Sequence, residues 1–236
     1  MKLFRKFIPT LILALAAALP LTTASRAGAV TIPGYDGSLT TVPRVEPRPE
    51  VTLDQAKWLF HLMATQTDIS FRFPKDGCYA RAHLMVKRMQ RMGYQPGKVW
   101  SFARMGESLC CKTRNDPKGF VQWGYHVAPM IRTRLANGIL YDLVIDPSMF
   151  RGLVTIKAWA TAQKTTRGRL PYICKTRIGQ APTGPDGKKA GTGYWPGPDP
   201  KRGVDYHAGS VMKYFKHYEG RTAPKWVLDL PKKLAA

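Results

Sequence analysis

With 236 residues, 44% of them hydrophobic, the chain can bury a genuine core and has room for about one domain. Its 37 Lys and Arg against 15 Asp and Glu give a formal charge of +22, which favours acidic partners. The basic residues are spread along the chain with no zinc-finger or RNP-like pattern, so nucleic acid is not expected as a partner.

Residues 1–29 read as a signal peptide. Lys2, Arg5 and Lys6 form the positive start, Phe7 to Leu21 is mostly apolar, and Ala27-Gly28-Ala29 has the small-x-small form of a cleavage site. Cleavage after Ala29 removes four basic residues and no acidic ones, taking the charge from +22 to +18. No later stretch is long and apolar enough for a membrane span. The chain is therefore expected to be secreted or periplasmic. Residues 30–50, with Pro33, Gly34, Gly37, Pro43, Pro47 and Pro49, read as an extended arm or short pro-segment. Residues 51–236 are then left for a single catalytic domain.

Thr52 and Gln55 have the spacing of a capping box opening a helix to about Thr65, with Ala56, Leu59, Phe60 and Met63 on its apolar face and His61 off it. Phe73 to Gly77 approaches a second helix through Pro74 and a turn at Asp76-Gly77. That helix covers 78–92, carries the stripe Ala82, Met85, Val86 and Met89, and ends at Gly93. Cys78 falls in its first turn, where free backbone N–H groups and the helix dipole favour negative charge on sulfur. Lys75 and Arg81 add positive charge nearby. The competing reading of Cys78 is a buried or disulfide-bonded cysteine.

Strands are expected at 97–104, with Val99 and Phe102 inward, and at 108–112, followed by a turn at 115–119. The clearest sheet signal is Phe120 to Ile131, a connection Arg132 to Gly138 containing Asn137-Gly138, and a return strand Ile139 to Asp146. Alternation puts His126 on one face with Gln122 and Gly124, and Trp123, Tyr125 and Val127 on the other as packing, with a place at the cleft rim the alternative for Trp123. Asp142, Val144 and Asp146 share a face, and a connection centred near residue 136 brings 126 opposite 146. A helix at 156–163 with Trp159 inward and a strand at 171–178 follow. Residues 179–203 hold seven glycines and five prolines and read as a long surface loop lining a binding site. In it, Tyr194 and Trp195 serve either as recognition groups or as pins for the loop. A helix at His207 to Tyr218 and a short strand at Lys225 to Leu230 complete the chain.

Four cysteines in an exported protein suggest disulfides. Cys110 and Cys111 are adjacent, so in a strand they point apart and a bridge between them is strained. One bridge from Cys174 to Cys110 or Cys111 is the easier arrangement, leaving Cys78 as a thiol. No Cys/His spacing suggests a metal site.

A cysteine at a helix start, a histidine in a strand and a carboxylate ending the next strand have the form of a Cys-His-Asp site. Cys78 is the nucleophile, His126 the base and Asp146 its orienter, with Asp142 a rival of the same parity. The Cys78 N–H is an oxyanion donor and Gln66 a conceivable second one. The plain alternative is a core histidine beside an aspartate that caps a turn.

DGCYARAH at 76–83, WGYHVAP at 123–129 and DLVIDPSMF at 142–150, with Cys110-Cys111 twelve residues before Trp123, resemble the motifs of bacterial protein-glutaminases. Those are secreted enzymes that deamidate glutamine side chains in proteins. The resemblance covers about 52–150. It implies an α+β, papain/transglutaminase-like core, with the cysteine helix packed against an antiparallel sheet. It places the triad on Cys78, His126 and Asp146, with a thioester intermediate and no metal or cofactor. The expected partners are proteins or peptides with accessible glutamines, acidic ones favoured by the charge, and the chain is expected to be a monomer. Two other classes share these features: a transglutaminase or cysteine peptidase on the same core, and a non-enzymatic basic module that binds the cell envelope.

Overall fold

The structure, a computed structural model, describes residues 50–235 apart from 196 and 198. The signal peptide expected at 1–29 and the arm expected at 30–50, except Glu50, lie outside the described residues.

The capping box at Thr52 forms as its side chains dictate. Thr52 Oγ1 accepts from Gln55 N at 3.2 Å, and Gln55 Oε1 accepts from Thr52 N at 2.8 Å. Helix α1 (Leu53–Ala64) thus starts directly after the two-residue strand β1 (Val51–Thr52) and buries Ala56, Leu59, Phe60 and Met63. Helix α2 (Cys78–Arg91) begins after Gly77, whose φ of 91° lies in the left-handed region. The approach to it is fixed by buried Arg81, whose Nη1 donates to the carbonyls of Ser70, Phe73 and Asp76 at 3.0, 3.2 and 3.1 Å.

Gly77 is required on two grounds, its φ and its neighbours. A Cβ there would meet Phe215 Cδ2 at 2.8 Å and Met212 Cε at 2.9 Å. Gly77→Ala is therefore expected to destabilise by about 3 kcal/mol, combining left-handed strain with overpacking. In a domain of this size that lowers Tm by roughly 10 °C, which thermal unfolding would check.

The remaining elements are β2 (Gly97–Phe102), β3 (Leu109–Lys112), β4 (Phe120–Trp123), β5 (Tyr125–Arg134), β6 (Leu140–Val144), β7 (Val154–Thr155), α3 (Ile156–Thr161), β8 (Tyr172–Thr176), α4 (Val204–His217) and α5 (Lys225–Ala235). The main sheet runs β7-β6-β5-β2-β8 and is antiparallel, with β1 added parallel to β5 at Thr133 and Arg134. Strands β3 and β4 form a separate ribbon. Strand β2 is buried along its whole length. Its Trp100 and Phe102 pack with Val127 in the cluster that contains α1, α2 and α4, while Val99 joins Ala128, Met130, Val144 and Trp159 of α3. The fold is α+β, as expected, with the cysteine helix packed against an antiparallel sheet.

Three local expectations change. The long strand at 120–131 is two, because Gly124 breaks it and sends 120–123 into the ribbon. The following turn is tighter than expected: Leu135 N donates to Ile139 O and Gly138 N to Leu135 O, both at 2.9 Å. The register pairs Arg132 with Asp142 and Met130 with Val144, so 126 and 146 are offset by two residues rather than opposed. Parity is kept, and they still share a face. Finally, the strand expected at Lys225–Leu230 is the first half of α5. Val227, Pro231 and Ala235 are buried on it, at helical spacing along the face that contacts α4. Pro231 carries no N–H to bond within the helix, and its carbonyl accepts from His207 Nε2 at 2.8 Å.

The Gly/Pro-rich stretch is tied down. Buried Lys98 on β2 donates to Gly193 O at 2.6 Å, and burial lowers its ammonium to about 8. With His207 Nε2 donating to Pro231, Nδ1 is free to accept from Tyr194 OH at 2.7 Å. Tyr194 is 4% exposed, and Trp195 stacks on Tyr79 at 5.6 Å. These two aromatic residues pin the loop to α2 and α4.

Candidate active site

Cys78 opens α2 and is 7% exposed. The N–H groups of this first turn have no acceptor within the helix, and no side chain caps them. At the start of β5, next to the Gly124 break, His126 is 2% exposed and lies between two indoles. Trp123 stacks on it with centroids 5.1 Å apart and planes at 14°, and Trp159 at 5.5 Å and 27°. Trp123 is itself held by Nε1 donating to Pro74 O at 2.9 Å. Here the strand break matters. Alternation through an unbroken strand would turn Trp123 away from His126, whereas the ribbon carries it over the imidazole.

His126 Nε2 donates to Asp146 Oδ2 at 2.8 Å. The same oxygen accepts from Trp159 Nε1 at 2.9 Å, while Oδ1 accepts from Ser148 N at 3.2 Å and Ser148 Oγ at 2.5 Å. With Nε2 engaged, Nδ1 is the nitrogen left for Cys78, which lies close enough to the ring to help raise it. Burial alone would lower the imidazolium, but the Asp146 carboxylate overcomes it and His126 is raised. Burial would likewise raise Asp146, and His126, Ser148 and Trp159 together hold it below the usual carboxylate range.

The structure thus brings Cys78, His126 and Asp146 together. Asp142 pairs instead with Lys175 Nζ at 3.0 Å on the sheet. Gln66 is not near the cysteine, because its Nε2 donates to Leu62 O and its Oε1 accepts from Arg88 in the last turn of α2. A cleft of about 230 Å³ opens beside the sulfur, walled by Asp76, Arg81, Gln122, Trp123 and Tyr125. That is below the usual ~300–1,000 Å³ of sites for drug-sized ligands and suits one inserted side chain. Neither Tyr194 nor Trp195 lines it. Trp123, whose alternative reading was the cleft rim, does line it, while sequence reasoning missed Tyr125, Ser148 and Asp76 as parts of this site. For Asp76 and Ser148 the signal was there, since both stand two residues from a candidate catalytic position.

The expected disulfide is not formed: all four cysteines are free. Cys110 and Cys111 sit on β3 of the ribbon, whereas Cys174 is on β8 of the main sheet and accepts from Thr183 N at 3.4 Å. Burial raises Cys111 to about 11, helped by the charges of Asp146 and Cys110, and burial also raises Cys174. Both are packing thiols. Alkylation of the denatured, unreduced protein is expected to modify all four cysteines, and reductant should leave Tm unchanged; two protected thiols would contradict this.

A helix-borne cysteine facing a strand histidine backed by a carboxylate, on an α+β core with an antiparallel sheet, defines the papain-like class of fold. Residues 56–163 match the family model described as Glutaminase, a segment running from α1 past α3 and including all three residues. The fold is similar to the crystal structure of a pro-protein-glutaminase, with TM-score 0.57 and 25% identity over 75% of this chain and 61% of that one. It is similar also to the NMR structure of the protein-glutaminase from Chryseobacterium proteolyticum, with TM-score 0.55 and 24% identity over 72% of this chain and 90% of that one. The match thus spans 61% of the length of the pro-protein. No curated protein matches the chain. Residues 56–163, less than half of the chain, are thus similar to the protein-glutaminases.

Proposed function

We propose that the chain is an exported thiol hydrolase that deamidates glutamine side chains in proteins or peptides. The observation that carries this is the His126–Asp146 hydrogen bond with Cys78 beside the imidazole, next to a cleft sized for one side chain. His126, beside the sulfur, is the group that takes the thiol proton. Cys78 Sγ attacks the side-chain carbonyl carbon, and the developing oxyanion takes the Cys78 backbone N–H. His126 gives its proton to the amide nitrogen, the C–N bond breaks, and ammonia leaves a γ-glutamyl thioester. Water then gives a proton to His126 and its hydroxide adds to the thioester. Breaking of the C–S bond releases glutamate and the thiol. Asp146 holds the imidazole by Nε2–H, so that Nδ1 faces the sulfur in both half-reactions.

The test is incubation of the chain from Val30 onward with a flexible protein, reading ammonia and peptide masses together. Conversion of glutamine to glutamate is the expected product. Cross-links or backbone cuts without glutamate would overturn the reading in favour of a transglutaminase or a peptidase, and no reaction would favour a binding module. Free glutamine is expected to react far less, because its charged α-groups lose hydration at the aromatic cleft wall. Export belongs to the same proposal. Among the described residues no helix is long and apolar enough to cross a membrane, and a secreted form should begin at Val30.

A further inference from the structure

Asp76 stands two residues before Cys78 and lines the same cleft. Its Oδ1 accepts from Gly77 N at 2.6 Å, and its second carboxyl oxygen has no hydrogen-bond partner among the described residues. The nearest guanidinium does not pair with it, since Arg81 Nη1 is committed to three backbone carbonyls. Burial therefore raises this carboxyl to about 6, against the Gly77 N–H and the more distant charges of Arg81 on α2 and Lys232 on α5. Asp76 is only partly buried, so its free oxygen is open to a ligand in the cleft. The capping contact with Gly77 uses one oxygen, and Asn or Ser would supply it without the charge.

A carboxamide and its carboxylate product have nearly the same shape and differ in the two N–H donors. Distinguishing them requires an acceptor placed at the amide nitrogen. Of the other polar side chains on the cleft wall, Lys75 and Arg81 only donate and Gln122 and Tyr125 can do either, so an ionised Asp76 is the one that only accepts; the two oxygens of Asp146 are taken by His126, Trp159 and Ser148. We propose that Asp76 reads the substrate carboxamide: its free oxygen accepts an amide N–H while Cys78 attacks the carbon, and its charge expels the carboxylate product. Asp76 is then the residue that makes the site specific for an amide. The proposal rests on the deamidation reading above.

Asp76→Asn tests it, because the Asn oxygen can keep the Gly77 contact while its N–H group turns the free acceptor into a donor. The measurement is kcat/KM on a blocked glutamine peptide and on the same peptide bearing a glutamate γ-methyl ester, which has no N–H to read. The amide value is expected to fall about 10²-fold or more, the ester value to change little, and inhibition by the glutamate peptide to strengthen. An equal loss on amide and ester, or no loss on the amide, would overturn the proposal. A measurement on the unmodified protein guards against misfolding of the variant. The amide-to-ester ratio should drop as pH falls through about 6, with His126 protonated throughout and the Cys78 ionisation common to both substrates; a flat ratio overturns the proposal. If the unmodified chain releases no ammonia from the peptide, the deamidation reading fails and the proposal falls with it. If it does and only the selectivity prediction fails, the fault lies with Asp76.

Discussion

Cys78→Ala is expected to bring ammonia release to background, a loss of roughly 10⁶-fold by analogy with removal of a serine-protease nucleophile, while the protein stays folded. The substitution removes one sulfur from the first turn of α2, and alanine is the best helix former. The sulfur lies at the cleft, where solvent can fill the space it leaves. The lost burial is worth about 1 kcal/mol, or a few degrees in Tm. His126 keeps its hydrogen bond to Asp146 and both indole stacks, so the loss would report chemistry and not collapse. In the unmodified protein, iodoacetamide at mildly acidic pH should label Cys78 before Cys111 and Cys174, whose thiols burial raises. Full ammonia release from the alanine variant would end the proposed mechanism.

Local chemistry made much of this arrangement readable in advance. The capping box at Thr52, the turn at Asp76-Gly77 and the apolar stripe of α2 are short-range signals, and each formed where the residues specify it. Parity alone put His126 and Asp146 on one face, and it survived a two-residue error in register because side chains alternate with period two. What was not legible depends on tertiary context. Gly124 looked like one more position in a strand, yet its break carries Trp123 from the packing face onto the imidazole. Lys225 to Leu230 looked like a short strand, yet it opens α5, which continues through Pro231 because α4 covers the Val227 face and His207 uses the Pro231 carbonyl. Export chemistry argued for a disulfide, and the placement of β3 and β8 in different sheets overrides it. Tyr194 could have served recognition or anchoring from sequence alone; buried Lys98 and His207 draw the loop inward and make it an anchor.

Asp146→Asn should cost about 10²–10⁴-fold in turnover, and Asp142→Asn almost nothing. The four groups bonded to Asp146 are His126 Nε2, Trp159 Nε1, Ser148 N and Ser148 Oγ; Trp159 Nε1 and Ser148 N can only donate, and His126 Nε2 donates in the tautomer that leaves Nδ1 for the sulfur. An asparagine NH₂ must therefore face a donor on one side. If it turns toward Ser148, the backbone N–H there loses its acceptor, at about 1–3 kcal/mol. If it turns toward His126, the imidazole is forced to accept on Nε2 and to carry its proton on Nδ1, where it no longer serves as base to the thiol. In either orientation the carboxylate charge that raises His126 is gone and the opposing effect of burial remains. The imidazolium is then lost at lower pH, so the basic limb of kcat/KM should move to lower pH, while peptide affinity changes little. Asp142 meets only Lys175, in a pair whose lysine is 40% exposed; such a pair is worth at most ~1 kcal/mol. A pH profile of both variants separates the assignments. Should Asp142→Asn prove the crippling change with Asp146→Asn near normal, the orienter proposed here is wrong, although the cysteine and the fold would stand.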